Sequence, residues 1–213
     1  EHVDRTADSA LAAELFGRLS ACLATLERSA DRTGVFHGRS DAAGDRPSTP
    51  FAEGGSGPAF LMCGAYRAGA GMARALGREL EADRWTNAAG TLGRVLRARF
   101  YREDTGLFAD TPTRALPPRA PTNAAALLWG EVGAVEWARL AEALASGACE
   151  PAETPLEAAI VAEALFETAA PEAALACLEA FFCGMAKRGA TEFWEQFDPA
   201  SPPAGVPAAG RPY

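Results

Sequence analysis

The sequence has little with which to hold a metal or build a histidine-dependent nucleophile. It contains two histidines, His2 and His37, and five cysteines, Cys22, Cys63, Cys149, Cys177 and Cys183, with no CxxC spacing among them. A zinc site or a Ser–His–Asp triad therefore has few candidate parts, and no metal and no cofactor are expected. The cysteine count is odd, and Cys22, Cys63, Cys177 and Cys183 fall inside helical apolar patterns. They read as small buried hydrophobes in a disulfide-free protein, which favours the cytoplasm while leaving the compartment open.

Basic clusters are missing too. The net charge is -8, from 28 acidic and 20 basic residues, so a phosphate backbone is an unfavourable partner and no nucleic acid is expected. No apolar run reaches membrane-spanning length and no charged-then-apolar signal segment opens the chain, so no membrane partner is expected of what reads as a soluble protein. The strand-favouring residues Val, Ile and Tyr are scarce, whereas alanine is the commonest residue. That balance argues for an all-α protein. The 213 residues are 48% hydrophobic and 23% charged, ordinary for a globular chain, and are read as a single domain over 1–213. The first residue is Glu1 rather than Met, which suggests processing or a piece of something longer.

Leu11, Leu15, Leu19, Leu23 and Leu26 make one apolar stripe on a helix from about Asp8 to Arg28. Residues 35–57 follow as a long polar loop rich in glycine, carrying His37, Arg39, Asp41, Asp45, Arg46 and Glu53. It is either a solvated excursion or a ligand-facing loop. Ser56 is a candidate cap for a second helix bearing Phe60, Cys63, Ala68, Met72 and Leu76, whose many Gly and Ala residues imply a close helix approach. After Gly77 a third helix runs from near Glu79 to about Tyr101 with Trp85, Ala89, Leu92, Leu96 and Phe100 on one face, completing an antiparallel hairpin.

A turn at Asp104–Gly106 and several prolines lead to a helix near Thr122. The next carries Val132, Val135, Trp137, Leu140 and Leu144. Thr154-Pro155-Leu156-Glu157 is a capping box, followed by the stripe Leu156, Ile160, Ala164 and Leu165. From Pro171 a last long helix turns Leu175, Leu178, Phe182 and Met185 inward and ends at Gly189. The sum is about six or seven helices in successive antiparallel hairpins, with an irregular Pro-rich tail over 199–213.

The stretch in which chemistry concentrates is Gly189-Ala190-Thr191-Glu192-Phe193-Trp194-Glu195. Helix stops at Gly189, and two carboxylates and two aromatics then appear together. Two readings stand. Phe193 and Trp194 can plug a core at a helix-to-loop corner, or the cluster can face a ligand.

Three phrases carry a family resemblance. They are Phe100-Tyr101-Arg102-Glu103-Asp104-Thr105-Gly106-Leu107-Phe108-Ala109-Asp110, then Thr122-Asn123-Ala124-Ala125-Ala126-Leu127, and the Gly189–Glu195 stretch. In this order they resemble the catalytic domain of bacterial α-L-rhamnosidases and related six-hairpin glycosidases, whose last phrase reads Gly-Ala-Thr-Thr-x-Trp-Glu. The resemblance implies part of an (α/α)6 toroid and inverting hydrolysis of a terminal α-L-rhamnosyl or similar residue. In that chemistry one carboxylic acid protonates the leaving oxygen, and a carboxylate ~6.5–9.5 Å away activates water. It implies Glu195 as general base, with Trp194, Glu192, Phe193 and Asn123 as substrate-binding residues and a small carbohydrate or glycoside as partner.

Departures from the family pattern shape the expectation. Glu192 replaces the motif's second Thr, adding a charge that either raises the base's pKa or points to solvent. The family's acid-bearing segment, resembling Asp-Cys-Pro-x-Arg-Asp-Glu, has no counterpart, so this chain supplies the base and not the acid. The helices are too few to close a barrel, which implies the C-terminal part of a larger catalytic domain. Uncovered apolar faces would then pack on a missing portion or form a homodimer. The alternatives are a carbohydrate-binding or degenerate relative, and a helical interaction scaffold without catalysis.

Overall fold

The alanine-rich, strand-poor sequence folds as helix almost throughout, in a computed structural model that describes residues 9–31, 35, 55–112, 117–194 and 197–199. Helix α1 is Ser9–Ser29, α2 Ser56–Ala75 and α3 Glu79–Phe100. A two-stranded antiparallel hairpin follows, β1 Tyr101–Arg102 and β2 Leu107–Phe108, with Tyr101 opposite Phe108. Then come α4 Ala120–Trp129, α5 Ala134–Ser146, α6 Pro155–Glu167 and α7 Pro171–Leu178. A π-helical turn, Glu179–Cys183, joins α7 without a break to the short α8, Gly184–Lys187.

Consecutive helices pair as hairpins, α2 with α3, α4 with α5 and α6 with α7. Every second helix also touches, α2 with α4 and α4 with α6. This places α2, α4 and α6 side by side as an inner row that starts at one common end, backed by α3, α5 and α7. The expected all-α architecture of helical hairpins is therefore what the chain adopts. Inner position shows in composition. In α4 every residue from Pro121 to Leu127 is buried, and α6 buries Glu157, Ala158, Ile160, Val161, Ala162, Ala164 and Leu165. Neighbours enclose α4 on more than one side, whereas α6 keeps one exposed face at Leu156, Ala159, Glu163 and Phe166.

The small residues of α2 permit a close approach, and what comes close is a ring. A Cβ on Gly64 would lie 2.8 Å from the Trp129 indole of α4, and one on Gly69 would lie 2.8 Å from Leu23 and 3.0 Å from Trp85. On α3, Trp85, Ala89, Leu92, Leu96 and Phe100 are all buried, as their spacing predicts.

Elsewhere the buried faces depart from the simple leucine stripes. Helix α1 buries Ala12, Phe16 and Leu23 and leaves Leu15 exposed, because Phe16 packs 5.6 Å from the Trp85 ring. On α5, Val135 and Trp137 are exposed while Glu136, Leu140 and Leu144 turn inward. Glu136 tolerates this position because it accepts from the Arg97 guanidinium and from Gly133 N. The same contacts hold its carboxyl below the usual range. Leu156 of α6 and Leu175 of α7 are also exposed. Ala174 faces α6 in place of Leu175, since a small residue suits the contact between these paired helices.

Ser56 is not a cap. Gly55 takes the cap position, and Ser56 is the first helical residue. The polar loop read over 35–57 therefore gives way to helix at Ser56. Its members His37, Arg39, Asp41, Asp45, Arg46 and Glu53 lie outside the described residues, as do 200–213 of the tail. All five thiols are free, but only Cys63 and Cys149 are buried, with Cys177 half-buried and Cys22 and Cys183 exposed. Burial pushes the Cys63 thiol up to about 12. Among the described residues no helix is long and apolar enough to cross a membrane.

The ring-against-glycine contact makes a direct prediction. Gly64→Ala should destabilise the fold by about 1–3 kcal/mol in chemical denaturation, because the added methyl must displace a tryptophan ring fixed between two helices. An unchanged midpoint would show that α2 and α4 are not in close contact at this point.

Candidate functional site

The common starting end of α2, α4 and α6 gathers a continuous set of polar contacts. At α2, Ser56 N donates to Asp110 O at 3.1 Å and its hydroxyl donates to Ala109 O at 2.7 Å. Gly55 is required there, since a Cβ would sit 2.5 Å from the Asp110 carbonyl oxygen. The backbone beyond the β-hairpin is thus bonded directly to the first turn of α2.

Asn123, in the first turn of α4, holds the hairpin from the other side. Its Oδ1 accepts from Phe108 N at 2.8 Å, and its Nδ2 donates to Phe108 O at 3.1 Å and Arg119 O at 2.9 Å. The side chain has no exposed surface. Asn123, expected as a substrate contact, is here enclosed, and its amide is bonded to backbone. Beside it the Thr122 hydroxyl donates to Asp110 Oδ1, while Asp110 Oδ2 is buried with no hydrogen-bond partner among the described residues. Burial pushes the Asp110 carboxyl above its ordinary range, against the opposing Thr122 hydrogen bond and the nearby Arg119 charge.

Arg119 passes the arrangement on to α6. Its backbone forms a parallel bridge with Glu150, and Ala120 N donates to Glu150 O at 2.8 Å. Its guanidinium lies 3.3 Å from Glu157 Oε2 and 3.5 Å from Glu153 Oε2. The capping box of α6 forms as its sequence predicts, with Thr154 Oγ1 accepting from Glu157 N at 3.2 Å and Glu157 Oε2 accepting from Thr154 N at 3.3 Å. Glu157 is nevertheless almost wholly buried, and burial raises its carboxyl despite the Glu153 N–H and the Arg119 charge.

The chain after α8 returns to this same end. Gly189 adopts φ +87°, the left-handed conformation that favours glycine at a helix C-terminus. Phe197 N then donates to Glu153 O at 2.8 Å. The Phe197 ring is buried, stands edge-on to Phe181 at 5.4 Å and lies 6.0 Å from Trp194. Arg188 covers its other side at 4.8 Å and donates to the carbonyls of Asp198 and Pro199. These rings, with Ala152, Ala158, Met185, Phe182 and Ala190, form a second apolar cluster separate from the main core.

Within that frame Trp194 is half-buried, Phe193 is exposed and 5.4 Å from the Phe182 ring, and Glu192 is exposed. Both corner readings thus have a share in the structure: Trp194 packs, and Phe193 lies open. Glu195 lies outside the described residues. The structure brings Trp194, Phe193 and Glu192 to one corner and sets Asn123 apart in the interior. Sequence reasoning missed Asp110, Arg119 and Phe197. The first two could have been flagged as charged residues flanking an apolar helix start, but nothing local showed that they would be enclosed. Among the described residues no group of three His, Cys, Asp or Glu side chains could hold a metal.

No family model and no curated protein matches this sequence. Solved structures do. A GH78 family rhamnosidase of Bacillus sp. GL1 matches with a TM-score of 0.76 at 20% identity, over 92% of this chain and 22% of that one. A rhamnosidase from Klebsiella oxytoca with rhamnose bound matches with a TM-score of 0.72 at 18% identity, over 96% of this chain and 40% of that one. At these identities the likeness is one of fold. This chain spans well under half the length of either protein.

The buried Asp110 carboxyl sets a pH dependence. Its folded pKa is raised, so the folded state holds the proton more tightly than the unfolded chain does. Its stabilising contribution is then full below the unfolded value of about 3.9 and is lost as pH rises through the folded value. Asp110→Asn, which mimics the protonated acid, should flatten the fall in stability that sets in as pH rises above the unfolded value, measured by urea unfolding. Parallel wild-type and variant curves would contradict this.

Proposed function

We propose that this chain is the base-supplying, sugar-facing part of a glycoside hydrolase that removes a terminal α-L-rhamnosyl or similar residue with inversion. The observation that carries the reading is a coincidence of place. Trp194, from the stretch resembling the rhamnosidase Trp-Glu phrase, lies beside Phe197, which bonds to the common end of the inner helices in a chain whose fold matches two rhamnosidases. In this reading Glu195 activates water as general base. Trp194 offers a flat apolar wall to the C–H face of the sugar, and the open ring of Phe193 borders the same corner.

The reading assigns Glu192 a secondary role, since its side chain is exposed to solvent. The general acid is not assigned to any residue of this chain. A second reading, sugar binding without turnover, is favoured by the same missing acid segment. The two differ in what an activated substrate does. An aryl rhamnoside with an acidic phenol as leaving group needs little protonation, so base-assisted hydrolysis can be scored even where the acid is weak.

With such an aryl α-L-rhamnoside, Glu195→Gln should lower turnover by about 10²–10⁴-fold, the range that a positioned general base supplies, while leaving sugar binding near its original strength. Binding unaccompanied by hydrolysis in the parent protein would select the second reading. Full turnover by the variant would remove Glu195 from the mechanism.

A further inference from the structure

The α6 cap contains more than a capping box requires. A capping box needs one carboxylate oxygen to accept from the cap residue's own N–H. Here Glu157 Oε2 accepts from Thr154 N at 3.3 Å, and also from Glu153 N at the shorter distance of 2.8 Å. Arg119 adds its guanidinium to the same oxygen at 3.3 Å. The shortest of the three bonds therefore goes to a residue outside the helix. Glu153 is also the residue whose carbonyl accepts from Phe197 N at 2.8 Å.

That bond reaches the proposed sugar site within a few atoms. Phe197 lies 6.0 Å from the Trp194 ring, and only Glu195 and Gln196 separate the two in sequence. The ring of Phe197 is held by Phe181 and Arg188, and its backbone is held by Glu153. The side chain that orients Glu153 is Glu157, which is almost wholly buried and cannot meet a substrate.

We infer that Glu157 is a positioning residue for Phe197, whose ring borders Trp194, acting through the Glu153 backbone rather than by contact with the sugar. Its role for catalysis rests on the proposed function above, whereas its hold on Phe197 does not. A carboxylate is suited to the task because it accepts from two adjacent backbone N–H groups and from Arg119 at once, and its charge strengthens each bond. The Thr154 hydroxyl, by comparison, accepts from Glu157 N within the first turn of its own helix.

The test compares Glu157→Ala, Glu157→Asp and Glu157→Gln with Thr154→Ala, reading amide hydrogen exchange at Phe197 in the full chain. Glu157→Ala should speed Phe197 exchange by about tenfold or more while the amides of α3 keep their protection. Glu157→Asp, which keeps the charge but withdraws the oxygens by one methylene, should do the same and serves if the alanine variant does not fold. Glu157→Gln keeps an acceptor oxygen and should restore protection to within about threefold of the parent. Thr154→Ala should leave Phe197 protected although it weakens α6. On the aryl rhamnoside, Glu157→Ala should lower kcat about tenfold or more with KM little changed, as for a misplaced reacting group. Phe197 exchange that is unmoved in Glu157→Ala and Glu157→Asp, or moved equally by Thr154→Ala, would overturn the inference. A parent protein that hydrolyses no rhamnoside would instead refute the proposed function, while the exchange data would still decide the role of Glu157 in holding Phe197.

Discussion

The arrangement at the inner helix starts depends on one buried ion pair, Arg119 with Glu157, whose members come from the beginnings of α4 and α6. Enclosing a charge is costly unless it is paired and hydrogen-bonded, and breaking such a pair leaves an uncompensated charge behind. Glu157 meets that condition through Oε2, which accepts from two backbone N–H groups and from Arg119, while its Oε1 is buried with no hydrogen-bond partner among the described residues. Arg119 stands between two buried carboxyls, Glu157 and Asp110, and burial raises both.

The corner that carries Trp194 is built apart from the main core. Ala174 of α7 faces that core, whereas Phe181 within the π turn and Met185 after it face the second cluster with Phe197. A π turn inserts an extra residue into the helical ladder and so re-aims the side chains that follow it. Phe181 and Met185 thereby reach the segment that returns to α6. The segment is tied to the inner row by the Phe197–Glu153 bond and by the packing of Phe197 in one cluster with Ala152 and Ala158. A small apolar cluster alone would hold such a segment loosely. The backbone bond gives it a defined place relative to the helix starts.

Local signals in the sequence were sufficient where the determinant was itself local. The Thr154–Glu157 capping box, the Gly189 C-terminus and the α2–α3 hairpin could be read directly, since each needs only a few neighbouring residues. Buried faces were less legible. On α5 the stripe reading favoured Val135 and Trp137, yet Glu136 is inside because Arg97, far away in sequence, reaches it. Asn123 was read as a substrate contact by its place in a motif. Its amide instead holds the Phe108 backbone, a pairing across the chain that no local pattern announces. Trp194 and Phe193 were correctly picked out as a corner. Which of the two packs and which is open follows from Phe197 and Phe182, and so from tertiary contacts.

The central claim is that the common end of the inner helices presents a sugar-facing corner at Trp194. It is tested most directly by titrating the ¹⁵N-labelled protein with L-rhamnose and following the indole N–H signals of its 4 tryptophans. The account predicts saturable shifts at Trp194 and in the backbone of 189–199, with Trp85 and Trp129, packed between helices, unmoved. Shifts at none of these positions, or shifts centred on the exposed Trp137 of α5, would contradict it.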